Sequence, residues 1–298
     1  MECAANSSTF ISAPLDAPSS SSSSSSAAAS SSNMQNEDFA QFTSFMDALL
    51  RAVEGDHEDP LIHDQFAEPL TREIAPQLKP RLKKWELQQP HPEDYVALRC
   101  RYLDEALAQR HPSIRQVVLL GAGLDTRVFR LETLRGCHVL EIDQSAELFE
   151  HKRAESLLSS GFNPDVPTFW ALEGIMMYLT RASNLALLKT IDILSAPGSE
   201  VWGDVSGRAF LQEGEIALFK DVSELSMAEL GEPLFKHGEE DVREGVFSEL
   251  PWEMDVQAAL AEPGTHFGRE WTPTLTRSEQ KPVTYHHVLA KKPLADVP

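Results

Sequence analysis

Continuous apolar runs alternate with helical stripes along this chain. Val117-Val118-Leu119-Leu120 is a four-residue apolar run, β-branched at its start, and suits a strand buried on both faces. The run from Cys137 to Ile142, the TFWALEG run ending at Gly174, and EVWGDVS at 200–206 predict further strands, and 283–291 a last one. Phe42, Phe45, Met46, Leu49, Leu50 and Val53 follow one apolar stripe, which predicts a helix over 39–53 stopped by Gly55. Helices are also expected over 95–110, 144–159, 181–196 and 208–230, with proline breaks at 76, 80, 90 and 92. Strands alternating with helices predict an α/β fold with a mostly parallel sheet.

The turn after the first core strand carries candidate chemistry. Gly121-Ala122-Gly123 follows Leu120 directly, and Asp143 closes the next strand 20 residues after Gly123. Glycine permits a sharp turn and a close approach of backbone to ligand, and an acidic strand tip accepts hydrogen bonds from a ribose. A dinucleotide fingerprint requires a third glycine or alanine, yet Thr126 stands there with Asp125 before it. A carboxylate beside the loop disfavours a pyrophosphate and tolerates a sulfonium. The residues therefore favour S-adenosyl-L-methionine over NAD, and the NAD-type oxidoreductase reading is the weaker one.

RQVVLLGAGLDTRVFRL followed by VLEIDQSAELFEHK resembles the leucine carboxyl methyltransferase-like family of S-adenosyl-L-methionine-dependent O-methyltransferases. DPLIHDQFAEPL, ALRCRYLDEAL, GFNPDVPTFWALEGIMMYLT and VTYHHVLAKKP extend the resemblance over most of the chain from about residue 39. It implies a Rossmann-like, doubly wound sheet whose last strand is antiparallel, with an N-terminal helical cap that helps cover the site. It also implies that Arg99 pairs with the carboxylate of the cofactor's methionine part and that Glu173 lines the same end. Gly121, Ala122, Gly123, Asp125 and Asp143 complete the candidate cofactor set; Tyr178 is a candidate for the acceptor side. No catalytic residue stands out, which agrees with a methyl transfer to carboxylate, since that acceptor is already ionised. Expected acceptors are a small molecule or a protein carboxylate, with transfer to a carboxylate or hydroxyl oxygen. The chain departs from the family after Leu158, where a strand-loop-helix segment of roughly 30 residues with an adenine-side acid is missing. That gap puts adenine recognition and one sheet edge in question, and keeps open a non-catalytic binding protein as the alternative.

Net charge −20 over 298 residues argues against nucleic acid and anionic membranes as partners. Cys3, Cys100 and Cys137 have no metal-ligand spacing. Residues 19–32 are only Ser and Ala, so residues 1–36 are expected to be a disordered tail. Residues 37–298 are expected to form the methyltransferase domain, with a helical cap over 37–111 and a Rossmann-like core over 112–298. The expected location is the cytoplasm, with a plastid as the alternative if the Ser-rich segment is a transit peptide.

Overall fold

Strands β2 (Gln116–Leu120), β3 (His138–Ile142), β4 (Thr168–Leu172) and β5 (Glu200–Ser206) lie at the centre of the molecule, with β2, β4 and β5 buried at every position. The computed structural model describes residues 7–11, 42–87, 91–143, 157–212, 215–216 and 234–294. Alternate side chains of these strands feed two cores, because successive residues of a strand point to opposite faces. Val117, Leu119, Val139, Phe169 and Trp202 pack with Leu103 and Leu107 of helix α4 (Glu93–Gln109). Val118, Leu140, Trp170 and Val201 pack with Leu187, Leu188 and Ile191 of a helix over Arg181–Ile193. This two-faced burial accounts for the continuous apolar runs.

The sheet has seven strands in the order β1-β3-β2-β4-β5-β9-β6. Here β1 is Ser7–Ile11, β6 is Glu253–Ala259 and β9 is Tyr285–Lys291. Strands β1 to β5 run parallel, and β9 is antiparallel to both β5 and β6, as the resemblance implies. A small hairpin, β7 (Gly264–His266) with β8 (Arg269–Trp271), lies outside the sheet. Three further helices precede α4: α1 over 42–55, α2 (Ala67–Thr71) and α3 (Ala75–Glu86). Glu54 at the end of α1 is fully buried and accepts from Arg269 of β8 at 3.0 Å, which fastens the cap to the hairpin.

Several expectations need correction. Ser7–Ile11 fall in the segment expected to be disordered, yet they form β1, with Ser7 opposite His138 and Ile11 opposite Ile142. One sheet edge was put in question by the gap, and on the β3 side β1 now pairs with that strand. Among the described residues, no strand lies between β3 and β4 in sequence. The other residues of 1–36 lie outside the described residues, as does most of the helix expected over 144–159. Pro80 does not break α3 but lies inside it. It forfeits one backbone hydrogen bond, and buried Leu78, Leu82 and Trp85 hold the helix in place. The helix expected from residue 208 begins as a short 3-10 turn, Arg208–Leu211, and 217–230 lie outside the described residues. Strand β6 was not anticipated, although Met254, Val256 and Ala258 alternate with polar or exposed positions.

Candidate active site

The crevice lies at the C-terminal ends of β3, β2 and β4, where open α/β sheets bind ligands. After β2 the chain turns at Gly121, whose φ of +67° lies in the left-handed region that favours glycine. A Cβ there would meet Ile175 Cγ2 at 2.3 Å, so the chain's own packing also requires glycine. The amide nitrogens of Gly121 and Ala122 both donate to the Ile142 carbonyl, at 2.8 and 3.2 Å. This lashes the loop to the end of β3, beside Asp143. The exposed Asp143 accepts from the Gly123 amide at 2.8 Å. Sequence spacing and tertiary structure therefore agree that loop and acid form one unit.

The other wall is an ion-pair network. Glu173, one residue beyond β4, takes Arg99 Nε on one oxygen at 3.0 Å and Arg127 on the other at 2.6 Å. Arg99 of α4 also donates to Asp47 of α1 at 2.7 Å. Arg127 donates further to Asp104 at 2.7 Å and to Asp125. Burial alone would push the Glu173 carboxyl up, but the Arg127 and Arg99 guanidiniums outweigh it and hold the group far below the usual carboxylate range. The same network keeps both buried arginines charged. Cys100 and Cys137 are buried, and the Cys100 thiol, pushed up by burial, donates to Glu173 at 3.3 Å.

Asp125 departs from its expected role. Its carboxylate accepts from the Arg127 amide at 2.7 Å and pairs with the Arg127 side chain, so its charge is neutralised beside the loop. The repulsion of a pyrophosphate ascribed to it is correspondingly reduced. Thr126 remains the departure from a dinucleotide loop, and its hydroxyl donates to Asp64 at 2.7 Å. Asp64 also takes Arg51 of α1 at 2.9 Å, and Arg51 reaches the Leu124 carbonyl at 2.6 Å. Helix α1 is thereby pinned across the glycine loop. A Cβ on Gly123 would lie 2.7 Å from the Ser44 hydroxyl oxygen, so α1 covers the crevice as well as packing on the fold.

Beyond Arg99 the crevice opens into a cavity of about 90 Å³ lined by residues of six segments, among them Trp85, Tyr95, Tyr178, Phe210 and Tyr285. Tyr178, the candidate for the acceptor side, is one of the lining residues. Sequence reasoning missed Asp47, Tyr95, Arg127 and Asp204. Arg127 was legible, since a basic residue directly after the loop acids is an obvious partner for them. Asp47 and Tyr95 gave no signal, being ordinary positions on amphipathic helices. Asp204 accepts from the Gly174 amide at 2.6 Å and from the Tyr95 hydroxyl at 3.4 Å. Burial pushes its carboxyl up to about 6.

The residues fit a nucleoside-amino acid cofactor at two of its ends. Asp143 and the glycine loop offer a ribose acceptor beside bare backbone. Gly174 carries no Cβ and leaves the Arg99 guanidinium, 3.3 Å from where that Cβ would stand, at the mouth of the crevice. Among the described residues, no group of His, Cys, Asp and Glu suits a metal ion, and no helix is long and apolar enough to cross a membrane.

Comparison with known proteins places the chain in a family. The family model described as leucine carboxyl methyltransferase matches residues 44–155 and 146–192, together half of the chain. A protein of Streptomyces coelicolor, provisionally named as an S-adenosyl-L-methionine-dependent methyltransferase, is 36% identical over 190 residues. That alignment covers 53% of this chain and 63% of the relative. A Mycobacteroides abscessus protein with the same provisional name is 34% identical over 54% of this chain and 61% of its own length. The chain thus spans about three fifths of the length of the curated relatives it matches. A crystal structure of a DUF574 family protein from Streptomyces avermitilis aligns with a TM-score of 0.48 at 10% identity, over 83% of this chain and 97% of that one.

Proposed function

The chain belongs to the leucine carboxyl methyltransferase family, and from that premise we propose that it binds S-adenosyl-L-methionine and transfers a methyl group to an acceptor oxygen. One observation carries the reading. Gly121 to Gly123, Asp143, Arg99 and Glu173 are scattered over 75 residues of sequence, yet they converge on one crevice at the ends of three adjacent parallel strands.

When bound, the cofactor supplies an electrophilic methyl group on a sulfonium. The chain's own residues bind, orient and exclude water. Asp143 accepts from the ribose hydroxyls, exchanging its present bond to the Gly123 amide for them. Arg99 holds a carboxylate through its guanidinium, and Asp47 is the group it holds now. Glu173 fixes the plane of Arg99 from the other side and, with its low proton affinity, stays an acceptor-only anion across the working pH range. Helix α1 excludes water above the loop. A methyl transfer needs in-line positioning and desolvation more than acid–base groups, and this crevice is built for both.

Calorimetric titration of the folded chain with S-adenosylhomocysteine tests the proposal. Micromolar binding is the expected outcome. A folded chain that takes up none at millimolar ligand rules the reading out and favours a family member that has lost its cofactor site.

A further inference from the structure

Residues of α1, α3, α4 and β9, with two loops after strands, close the cavity beyond Arg99. Aromatic rings make up nearly half of its wall, and several pack on one another. Tyr95 and Tyr285 have ring centroids 4.1 Å apart, and Phe210 meets Tyr285 edge-on at 5.5 Å. Such walls favour a flat aromatic guest, which gains offset and edge-on contacts as well as burial. A volume of about 90 Å³ suits a small guest.

Charge narrows the class. Arg99, the cation of the cavity wall, is already shared by Asp47 and Glu173, with Asp204 behind Tyr95. An acceptor carboxylate would have to share Arg99 with these acids and with the cofactor's own carboxylate. A neutral hydroxyl meets no such penalty, and the site holds what a hydroxyl needs. Tyr95 lines the cavity, and its hydroxyl donates to the buried Asp204 carboxylate at 3.4 Å.

Resting on the methyltransferase reading above, we propose that the methyl acceptor is a small phenol seated in this aromatic cavity, with Tyr95 and Asp204 removing its proton. The phenolic oxygen bonds to the methyl carbon as the donor's sulfur–carbon bond breaks, leaving a neutral thioether. The phenolic proton passes to the Tyr95 hydroxyl, which gives its own proton to the Asp204 carboxylate, and Asp204 later releases it to solvent. The ionisable groups facing Asp204 are Tyr95 and Arg99 of α4, Glu173 beyond β4, Tyr178, and His287 opposite it on β9. Burial raises Asp204 to about 6, so at neutral pH it is an ionised carboxylate with more than ordinary proton affinity.

The test uses the whole chain with p-cresol as probe, N-acetyl-leucine as the carboxylate competitor, and S-adenosylhomocysteine binding measured in parallel. Saturation-transfer NMR is expected to show p-cresol, and not N-acetyl-leucine, in contact with the protein. Thr43→Phe and Val96→Phe fill the cavity from its rim and its wall, and either is expected to abolish that contact. With labelled S-adenosyl-L-methionine, p-cresol is methylated. Asp204→Asn keeps an oxygen for the Gly174 amide and is expected to lower this rate at least about 100-fold. It leaves S-adenosylhomocysteine affinity intact, and 4-nitrophenol, which gives up its proton far more readily than p-cresol, is expected to lose less. A merely structural role for Asp204 would depress both phenols alike. Methylation of N-acetyl-leucine with no p-cresol contact overturns the acceptor assignment and leaves the methyltransferase reading standing. Failure of S-adenosylhomocysteine to bind overturns the transfer step together with the reading beneath it.

Discussion

Arg99 Nε lies 3.0 Å from Glu173 Oε1, across 74 residues of sequence. The pair joins the cap helix α4 to the end of the central strand β4, and Arg127, four residues beyond Gly123, completes it. Opposite charges this deeply placed contribute chiefly when both are present, since removing one leaves the other uncompensated.

Glu173→Gln is therefore expected to cost about 3 kcal/mol of stability, read as a lower urea midpoint at pH 7. The pH dependence has a definite sign. Glu173 is depressed in the folded chain, so its contribution is complete above the ordinary glutamate value and drains away as pH falls toward the folded value. The difference between wild type and variant is expected to shrink below about pH 4.5.

Asp143→Ala is expected to weaken S-adenosylhomocysteine binding by about 1–3 kcal/mol, or one to two decades in Kd. Its carboxylate is exposed, so thermal stability should change little. Calorimetry and a melting curve on the same sample separate the two, and unchanged affinity removes Asp143 from the site.

His287 stacks between Tyr102, at 4.9 Å, and Trp202, at 5.6 Å. Neither of its ring nitrogens has a hydrogen-bond partner among the described residues. Burial, with Arg99 nearby, pushes its proton affinity down to about 3. Unfolded, it protonates near the ordinary histidine value. Stability tied to the neutral ring is thus complete above about pH 6.5 and lost as pH falls, by about 2 kcal/mol at pH 5. Urea unfolding at pH 7 and pH 5 is expected to show this slope in wild type and its loss in His287→Phe.

Deleting residues 1–11 removes β1 and bares the backbone edge of β3. An unpaired parallel edge templates pairing with other chains. The truncated chain is expected to lose about 2 kcal/mol of stability and to associate at concentrations where the full chain does not. Light scattering on both forms decides it, and identical behaviour would show that β1 does not protect the edge.

The glycine loop and Asp143 were legible because strand, turn and acid are consecutive in the chain, and their 20-residue spacing is that of one strand-helix-strand unit. The two-faced burial of β2, β4 and β5 was legible for a similar reason: strands covered by helices on both sides carry apolar residues without alternation. Arg99 was reached only through resemblance, since an arginine on a helix is unremarkable by itself, whereas Glu173 is also a charge closing an apolar strand at the sheet's ligand-binding edge.

Sequence alone determined what depends on neighbours along the chain: the α/β class, most strand and helix positions, the glycine turn and its acid. Tertiary structure alone decided what depends on distant backbone meeting. It set β1 against β3, laid α1 over the loop through Arg51 and Asp64, and shared Arg99 between Asp47 and Glu173. It also gathered rings from six separate segments into one cavity and put Asp204 behind Tyr95. No local pattern encodes these contacts, because burial and charge pairing reward proximity in space and are indifferent to separation in sequence.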